Sequence, residues 1–365
     1  MTMAITLVLP AYRRTVSGGY RVVLEYASRL AARGHDVTLV MPSPGLQVRG
    51  WRRYVDRGAL GQRWDRRRHG TAIPWFDLPE TVRVLTPHGD DPRDLPAADV
   101  TVATAWHTAP YVADRPRRAG AGAYLIQHHE TWNGPADRVD ATWRLPLSKI
   151  VIARWLRDLA DELDPGGGAA YVPNGIDLDR FRVRVPIDAR DPQRVGMLVH
   201  PATWKATDVG IRALHEARER VPGLAPCLYG RWPRPDDLPA WVEYREHLDG
   251  DALVDYFNEL AVYLHPSLAE GWPLPPAEAM ACGAAVVAAD NPGVLDYAVP
   301  DRTAKVVPRG DGAAMAAALV DLVLDVDARA ALAARGHEAI GAYTWDRAVT
   351  ALEEHLVALT GVSAA

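Results

Sequence analysis

Residues 265–283 read His265-Pro266-Ser267-Leu268-Ala269-Glu270-Gly271-Trp272-Pro273-Leu274-Pro275-Pro276-Ala277-Glu278-Ala279-Met280-Ala281-Cys282-Gly283. In front of them Val262 to His265 has the length and apolar character of a buried strand, and Ala285 to Ala288 behind them has the same character. The pattern predicts a helix over Pro276 to Cys282, with Glu278 in its first turn. A strand, a helix and a second strand at this spacing form the repeating unit of a parallel sheet covered by helices. Two carboxylates, Glu270 on the loop and Glu278 on the helix, suit the gripping of sugar hydroxyls. A helix start offers unpaired backbone N–H groups and partial positive charge, which suits a diphosphate. The segment therefore predicts an anionic, hydroxylated ligand. Taken singly, Glu270 reads equally as an exposed loop acid, and Glu278 as a residue that only offsets the helix dipole.

The same alternation continues upstream. Strands are expected at Val195 to Val199 and Pro226 to Tyr229, helices at Asp208 to Arg218 and Asp251 to Leu260, and an Ala/Leu-rich helical region from Ala313 onward. The N-terminal half repeats the theme. Ile5 to Leu9 reads as a strand, Gly18-Gly19 precedes a helical pattern at Val22, Val23, Tyr26, Ala27 and Leu30, Gly34 closes it, and Val37 to Val40 is the next strand. Further strands are expected at Val82 to Leu85, Val100 to Ala103, Tyr124 to Gln127 and Lys149 to Ala153. After Asn174-Gly175-Ile176-Asp177 the chain is polar, Pro-containing and without period as far as Arg194, as linkers tend to be. The reading is an α/β chain with a domain over residues 1–185, a second over 186–340, and a last segment over 341–365. The 365 residues exceed what one core usually serves. Two doubly wound sheets of this kind place ligands beyond the carboxyl ends of their strands, in a cleft between the domains.

Composition narrows the function. A net charge of −5 argues against bulk nucleic-acid binding, which needs a basic footprint. Cys227 and Cys282, without CxxC or Cys/His spacing around them, build neither a disulfide framework nor a zinc site and suit a reducing compartment. The apolar run Met3 to Ala11 is short and lacks a basic leader, so a signal peptide is not expected, and no stretch reaches the roughly 18 apolar residues of a spanning helix. A cytoplasmic protein, with any membrane contact peripheral to the inner face, is the resulting expectation. No GxGxxG opens the first helix, which argues against a nicotinamide dehydrogenase.

The segment 265–283 resembles the signature of the retaining glycosyltransferases of family 4, whose architecture, GT-B, consists of two Rossmann-like doubly wound parallel-sheet domains facing across a cleft. Pro266-Ser267, Glu270-Gly271, Glu278, Met280, Cys282-Gly283 and Val286-Val287 fall in register, with seven residues between the glutamates. The resemblance implies that Glu270 contacts the transferred sugar and Glu278 the ribose, while backbone N–H groups of Gly271, Trp272 and Leu274 approach sugar and phosphate. Pro273 stands where glycine is commoner and removes one donor. Upstream, Lys205 matches a family lysine that clamps the diphosphate, and His200 stands where the family has arginine, so a permanent charge is replaced by a titratable ring. Glycine is also more usual than Ala206 after the lysine.

In the N-terminal half Gly18 and Gly19 resemble the family's glycine loop near donor phosphate. His128 or His129, at the end of the strand through Gln127, matches the histidine that several members place beside the reacting sugar; strand alternation sends the two rings to opposite faces. His107 is a weaker, acceptor-side candidate. The stretch Ala342 to Asp346 and the helix after it resemble the family's last helix, which packs back on the first domain. The resemblance implies transfer from a nucleoside-diphosphate sugar to an acceptor hydroxyl of a polysaccharide, glycolipid or secondary metabolite, with retention and with no metal or cofactor. A sugar-nucleotide epimerase and a non-catalytic nucleotide- or glycan-binding scaffold share the architecture; His200 and Pro273 keep the latter open. One segment has no counterpart in the family. Arg49 to Arg68 holds eight arginines against Asp56 and Asp65, with Trp51 and Trp64 among them. A solvated loop is the preferred reading, and weak contact with an anionic membrane or a phosphate-bearing acceptor the alternative.

Overall fold

The structure, a computed structural model, describes residues 2–10, 17–42, 73–87 and 91–361. The basic segment Arg49 to Arg68 and residues 12–14 lie outside them. The described residues form two compact units, one running to Asn174 and resuming at Asp346, the other Gly175–Trp345.

In the first unit seven strands, β1 (Ala4–Val8), β2 (Asp36–Val40), β3 (Arg83–Leu85), β4 (Val100–Ala103), β5 (Ala121–Ile126), β6 (Ser148–Val151) and β7 (Ala169–Tyr171), lie in the order β3-β2-β1-β4-β5-β6-β7, all parallel. Among the described residues its helices before Asn174 are α1 (Gly18–Ala32), α2 (Ala109–Ala113), α3 (Ala136–Thr142) and α4 (Arg154–Leu163). Ile5, Leu7, Val37, Leu39, Val100 and Val102 are buried, and α1 turns Val22, Val23, Tyr26 and Leu30 inward. Those near-continuous apolar runs are what a sheet covered on both faces requires. The second unit holds β8 (Arg194–Val199), β9 (Ala225–Gly230), β10 (Glu243–Glu246), β11 (Val262–His265), β12 (Ala285–Ala289) and β13 (Lys305–Val307), parallel in the order β10-β9-β8-β11-β12-β13. Helices α5 (Thr207–Arg220), α6 (Gly250–Glu259), α7 (Leu274–Ala281), α8 (Gly312–Leu324) and α9 (Val326–Ile340) surround a core of Val195, Met197, Leu214, Leu228, Val262, Leu264, Val287, Leu319 and Leu332. The last helix, α10 (Trp345–Leu359), belongs almost wholly to the first unit, where Glu353 accepts from Arg33 and His35, and the His355 ring meets Ser148.

In both sheets the strand order reverses beside the first strand, between β1 and β4 and between β8 and β11, where parallel sheets of this kind open a crevice at their carboxyl ends. The first unit ends at Asn174, not near 185. Residues 175–185 pack with the second unit because Ile176 bridges to Thr344, Phe181 lies against Phe257, and Asn258 Oδ1 accepts from the backbone of Arg184 and Val185. The final crossing falls at Trp345, not at 341. Helix α7 starts two residues before the expected Pro276. Pro275 and Pro276 occupy its first turn, where a missing N–H breaks no intrahelical bond. Glu278 consequently sits in the second turn.

Candidate active site

The reversal point of the second sheet gathers most of the predicted donor residues. Strand β8 ends at Val199, and His200 follows; β11 ends at His265, and the loop to α7 carries Glu270. Between β8 and α5 a 3-10 turn, Thr203–Lys205, presents Lys205, and Ala206 takes a left-handed backbone (φ 47°, ψ 42°) to start α5. That conformation is easy for glycine and strained for alanine, the physical reason glycine is the more usual residue there. The two loops join where Leu268 N–H donates to Trp204 O (2.7 Å). Lys205 Nζ donates to Glu270 Oε1 at 2.6 Å, although the residues are 65 positions apart.

Glu270 is only 8% exposed. Burial works to raise the pKa of its carboxyl, but the ammonium of Lys205, the nearby His265 and the Ser267 hydroxyl outweigh it and hold the carboxyl below its ordinary range. Its role as an exposed loop acid is thereby removed. The His265 ring, Nε2 3.8 Å from Glu270 Oε1, is buried, and burial pushes it down to about 4 despite that carboxylate. No hydrogen-bond partner for this Nε2 is found among the described residues. His265 was not singled out from sequence. The only signal for it was its place as the last residue of a buried strand beside the crevice.

His200 is likewise driven to about 4, by burial first and then by the positive charge of Lys205. Its Nδ1 accepts from Ala202 N–H (3.0 Å), so the neutral ring carries its hydrogen on Nε2. It is a neutral donor at physiological pH, where arginine would have been a cation. Thr207 locks the residue from both sides, its hydroxyl accepting from His200 N–H (3.0 Å) and donating to His200 O (2.9 Å).

The glutamate loop itself is clamped from behind. Asn291 Nδ2 donates to Ser267 O (3.1 Å), and Tyr297 O–H donates to Pro273 O (2.7 Å). Gly293 permits this approach, since a Cβ there would lie 2.5 Å from Glu270 O. Trp272 is buried against Tyr297 and Tyr343, ring centroids 4.7 and 5.6 Å away. Its indole packs the loop, leaving its backbone as the part that can meet a ligand. Pro273 is the N-cap of α7, and of the first three helical residues, Leu274, Pro275 and Pro276, only Leu274 has an N–H. The anion-binding donors expected of this helix start therefore reduce to Leu274, with Gly271 and Trp272 on the loop. Glu278, 3% exposed, lies close enough to Tyr229 and Tyr263 that its charge raises both phenols, burial being the larger cause. A hollow of about 420 Å³, lined by Arg190, Asp191, Arg194 and Glu259, lies at the opposite, amino end of the strands.

The reversal point of the first sheet carries the remaining candidates. Gly18 and Gly19 begin α1, and the position of a Cβ on Gly19 is 3.4 Å from Gln127 Oε1. His107 is buried just past β4, its ring edge-on to Trp106. The two adjacent histidines lie past the end of β5 and meet different neighbours. His129 Nε2 meets Asp140 Oδ1 (2.7 Å) and its ring stands edge-on to Trp143 (6.1 Å), while the His128 ring stands edge-on to Trp132 (4.1 Å) and Trp155 (5.5 Å). The carboxyl that follows them was not foreseen as a site residue. Glu130 Oε2 accepts from Trp106 N–H (2.8 Å), yet burial pushes its pKa up to about 7. Such a group, at a strand end beside exposed Trp132, is a candidate functional acid.

Comparison with known proteins points to the same fold. Residues 194–325 match the family described as Glycosyl transferases group 1. Over 360 residues, 91% of this chain and 82% of the other, the chain is 24% identical to a GDP-mannose-dependent alpha-(1-6)-phosphatidylinositol monomannoside mannosyltransferase of Mycolicibacterium smegmatis. Among solved structures it is similar to the sucrose-phosphate synthase of Thermosynechococcus elongatus (TM-score 0.73, 19% identity, 98% of this chain and 99% of that one). HepE of Anabaena, in complex with UDP-glucose, is similar to the same degree (TM-score 0.73, 14% identity, 99% and 100%). Two parallel Rossmann-like sheets with this loop define a glycosyltransferase of GT-B fold. Within that class the chain is similar to family 4-type enzymes, the family match covering residues 194–325.

Proposed function

We propose that the second unit binds a nucleoside-diphosphate sugar and that the enzyme transfers the sugar to an acceptor hydroxyl with retention of configuration and without a metal. The observation that carries this reading is the part-buried Lys205–Glu270 pair at the reversal point of the second sheet. An ionised carboxylate there accepts from sugar hydroxyls, and the lysine is placed to meet negative charge gathering on a departing phosphate. In the step envisaged, the bond from the anomeric carbon to phosphate oxygen breaks, a bond to the acceptor oxygen forms on the same face, and the acceptor proton passes to the departing phosphate. The N–H groups of Gly271, Trp272 and Leu274 add to the field on that phosphate, and Glu278 takes the ribose hydroxyls. The first unit binds the acceptor, with Glu130 and His128 the side chains best placed at its strand ends to hold a hydroxyl.

GDP-mannose is the donor to try first, because the relative aligned over most of both chains uses it. UDP-glucose, the ligand of HepE, is the second. With the donor that turns over, Lys205→Ala and Glu270→Ala are each expected to lower kcat/KM by about 100- to 1,000-fold, the usual effect of removing one group that stabilises transition-state charge. Wild-type activity in both variants removes this assignment of the site. Inverted product seen by NMR overturns retention, and loss of activity on chelation, restored by a divalent metal, overturns metal independence.

A further inference from the structure

Charge at the carboxyl edge of the second sheet is short for a ligand carrying a diphosphate. Lys205 is matched by Glu270 at 2.6 Å, and Glu278 adds another buried carboxyl group. His200 and His265 are both held uncharged near neutrality, and Pro275 and Pro276 strip two N–H groups from the start of α7. Arg309 follows β13 at the far edge of the sheet, where Asp290 Oδ1 accepts from its Nε at 3.1 Å. A cation has to come from elsewhere on this edge.

Arg231 is in the right place. It follows β9, the neighbour of β8 on the side away from β11, and the register pairs Val199 with Gly230, so Arg231 comes level with His200. The approach is close, since a Cβ on Gly230 would lie 2.9 Å from Val199 O and 2.4 Å from the Tyr244 hydroxyl. The next residue, Trp232, 43% exposed, sets its ring edge-on to the His200 ring at 4.8 Å. The turn is held: Tyr244 O–H donates to Trp232 O (2.7 Å), and Arg234 donates to the carbonyls of Leu238, Pro239 and Val242. The charge of Arg231 also reaches His200, where it is among the influences, after burial and Lys205, that keep the ring neutral.

We propose that Arg231 is the second phosphate-binding cation of the donor site, acting with Lys205 and with the Nε2–H of His200 as a neutral donor between them. This assignment rests on the donor-site reading above. It makes the diphosphate, not the base or the sugar, the part of the donor that Arg231 recognises, and it explains how the edge accommodates a histidine at position 200.

The test is calorimetric titration of the full chain with GDP and GMP, and with UDP and UMP, following whichever base the wild type binds. Arg231→Ala is expected to weaken the diphosphate about 10- to 100-fold, the range for hydrogen bonds to a charged group, and the monophosphate less than about 3-fold. Arg231→Lys should fall between wild type and Arg231→Ala. Adding His200→Arg to Arg231→Ala should recover at least about 5-fold in diphosphate affinity by restoring a cation at the adjacent strand end. Equal losses for mono- and diphosphate, no loss for the diphosphate, or no recovery in the double variant each overturn the proposal. Lys205→Ala separates the two readings. If it weakens diphosphate binding and Arg231→Ala does not, the assignment of Arg231 fails alone; if the wild type binds neither diphosphate, the donor site fails with it.

Discussion

Glu130 and Glu270 are both largely removed from water, and their carboxyl groups move in opposite directions. Burial acts on each to favour the neutral acid. At Glu270 the ammonium of Lys205, with His265 and Ser267, reverses that effect, while at Glu130 the one opposing contact is Trp106 N–H, and the group rises to about 7. The stability consequence of Glu130 has a definite sign. Its folded pKa is above its unfolded one, so the folded state holds the proton more tightly; this contribution is complete below about pH 4.5 and is lost as pH rises through about 7. Glu130→Gln keeps an acceptor for Trp106 N–H and cannot ionise. Relative to wild type the variant should gain on the order of 1–2 kcal/mol between pH 5 and pH 8, a figure reduced for the partial exposure of the side chain. Urea unfolding at the two pH values measures it, and a difference between the proteins that does not change with pH rules out the shifted carboxyl.

At the scale of elements, the return of α10 to the first unit depends on a few polar contacts. His35 Nδ1 accepts from Met3 N–H (3.2 Å), which leaves Nε2–H to donate to Glu353 Oε1 (3.0 Å), while Arg33 donates to the other oxygen of Glu353 (2.7 Å) and also pairs with Asp346. The His35 side chain is buried, so losing its carboxylate partner strands a polar atom. Glu353→Ala should therefore cost about 1–3 kcal/mol, and Glu353→Gln less, as read from midpoints of urea unfolding at constant slope. An unchanged midpoint in Glu353→Ala shows that apolar packing alone docks the helix. Much of this level was legible in the sequence. Strands β4 and β11 fall at the expected residues because each is a short apolar run bounded by turn residues, and α5 and α6 fall within two residues of expectation. Strand β10 was missed because Glu243, Tyr244, Arg245 and Glu246 on a sheet edge show no buried pattern, and three-residue β7 is too short to carry one. Helix α7 started early because prolines, read as a boundary, are accepted inside a first turn. Glu270, Glu278 and Lys205 were readable as a spacing; that Lys205 and Glu270 touch was not, since 65 residues separate them. His265 and Glu130 depend on burial and on one backbone N–H, neither of which a residue pattern records.

At the scale of the molecule, the chain builds the same open sheet twice, with its order reversing beside the first strand each time, and spends its last helix on the first unit. His200, Lys205, Arg231, His265, Glu270 and Glu278 all belong to Gly175–Trp345. Among the described residues no helix is long and apolar enough to cross a membrane. A ligand that binds only the folded form stabilises it by mass action, about 2.7 kcal/mol at one hundred times Kd. A unit of this size melts roughly 2–4 °C higher for each kcal/mol, so a saturating nucleoside diphosphate should raise Tm by about 5–10 °C. Hydrogen exchange should assign the gain, with amides of β8, β9 and β11 slowing and those of β1 and β4 slowing less. The shift should be smaller in Lys205→Ala at the same ligand concentration. No shift with GDP, UDP or dTDP at millimolar concentration, or equal protection in both sheets, means that the nucleotide is not held at the reversal point of the second sheet.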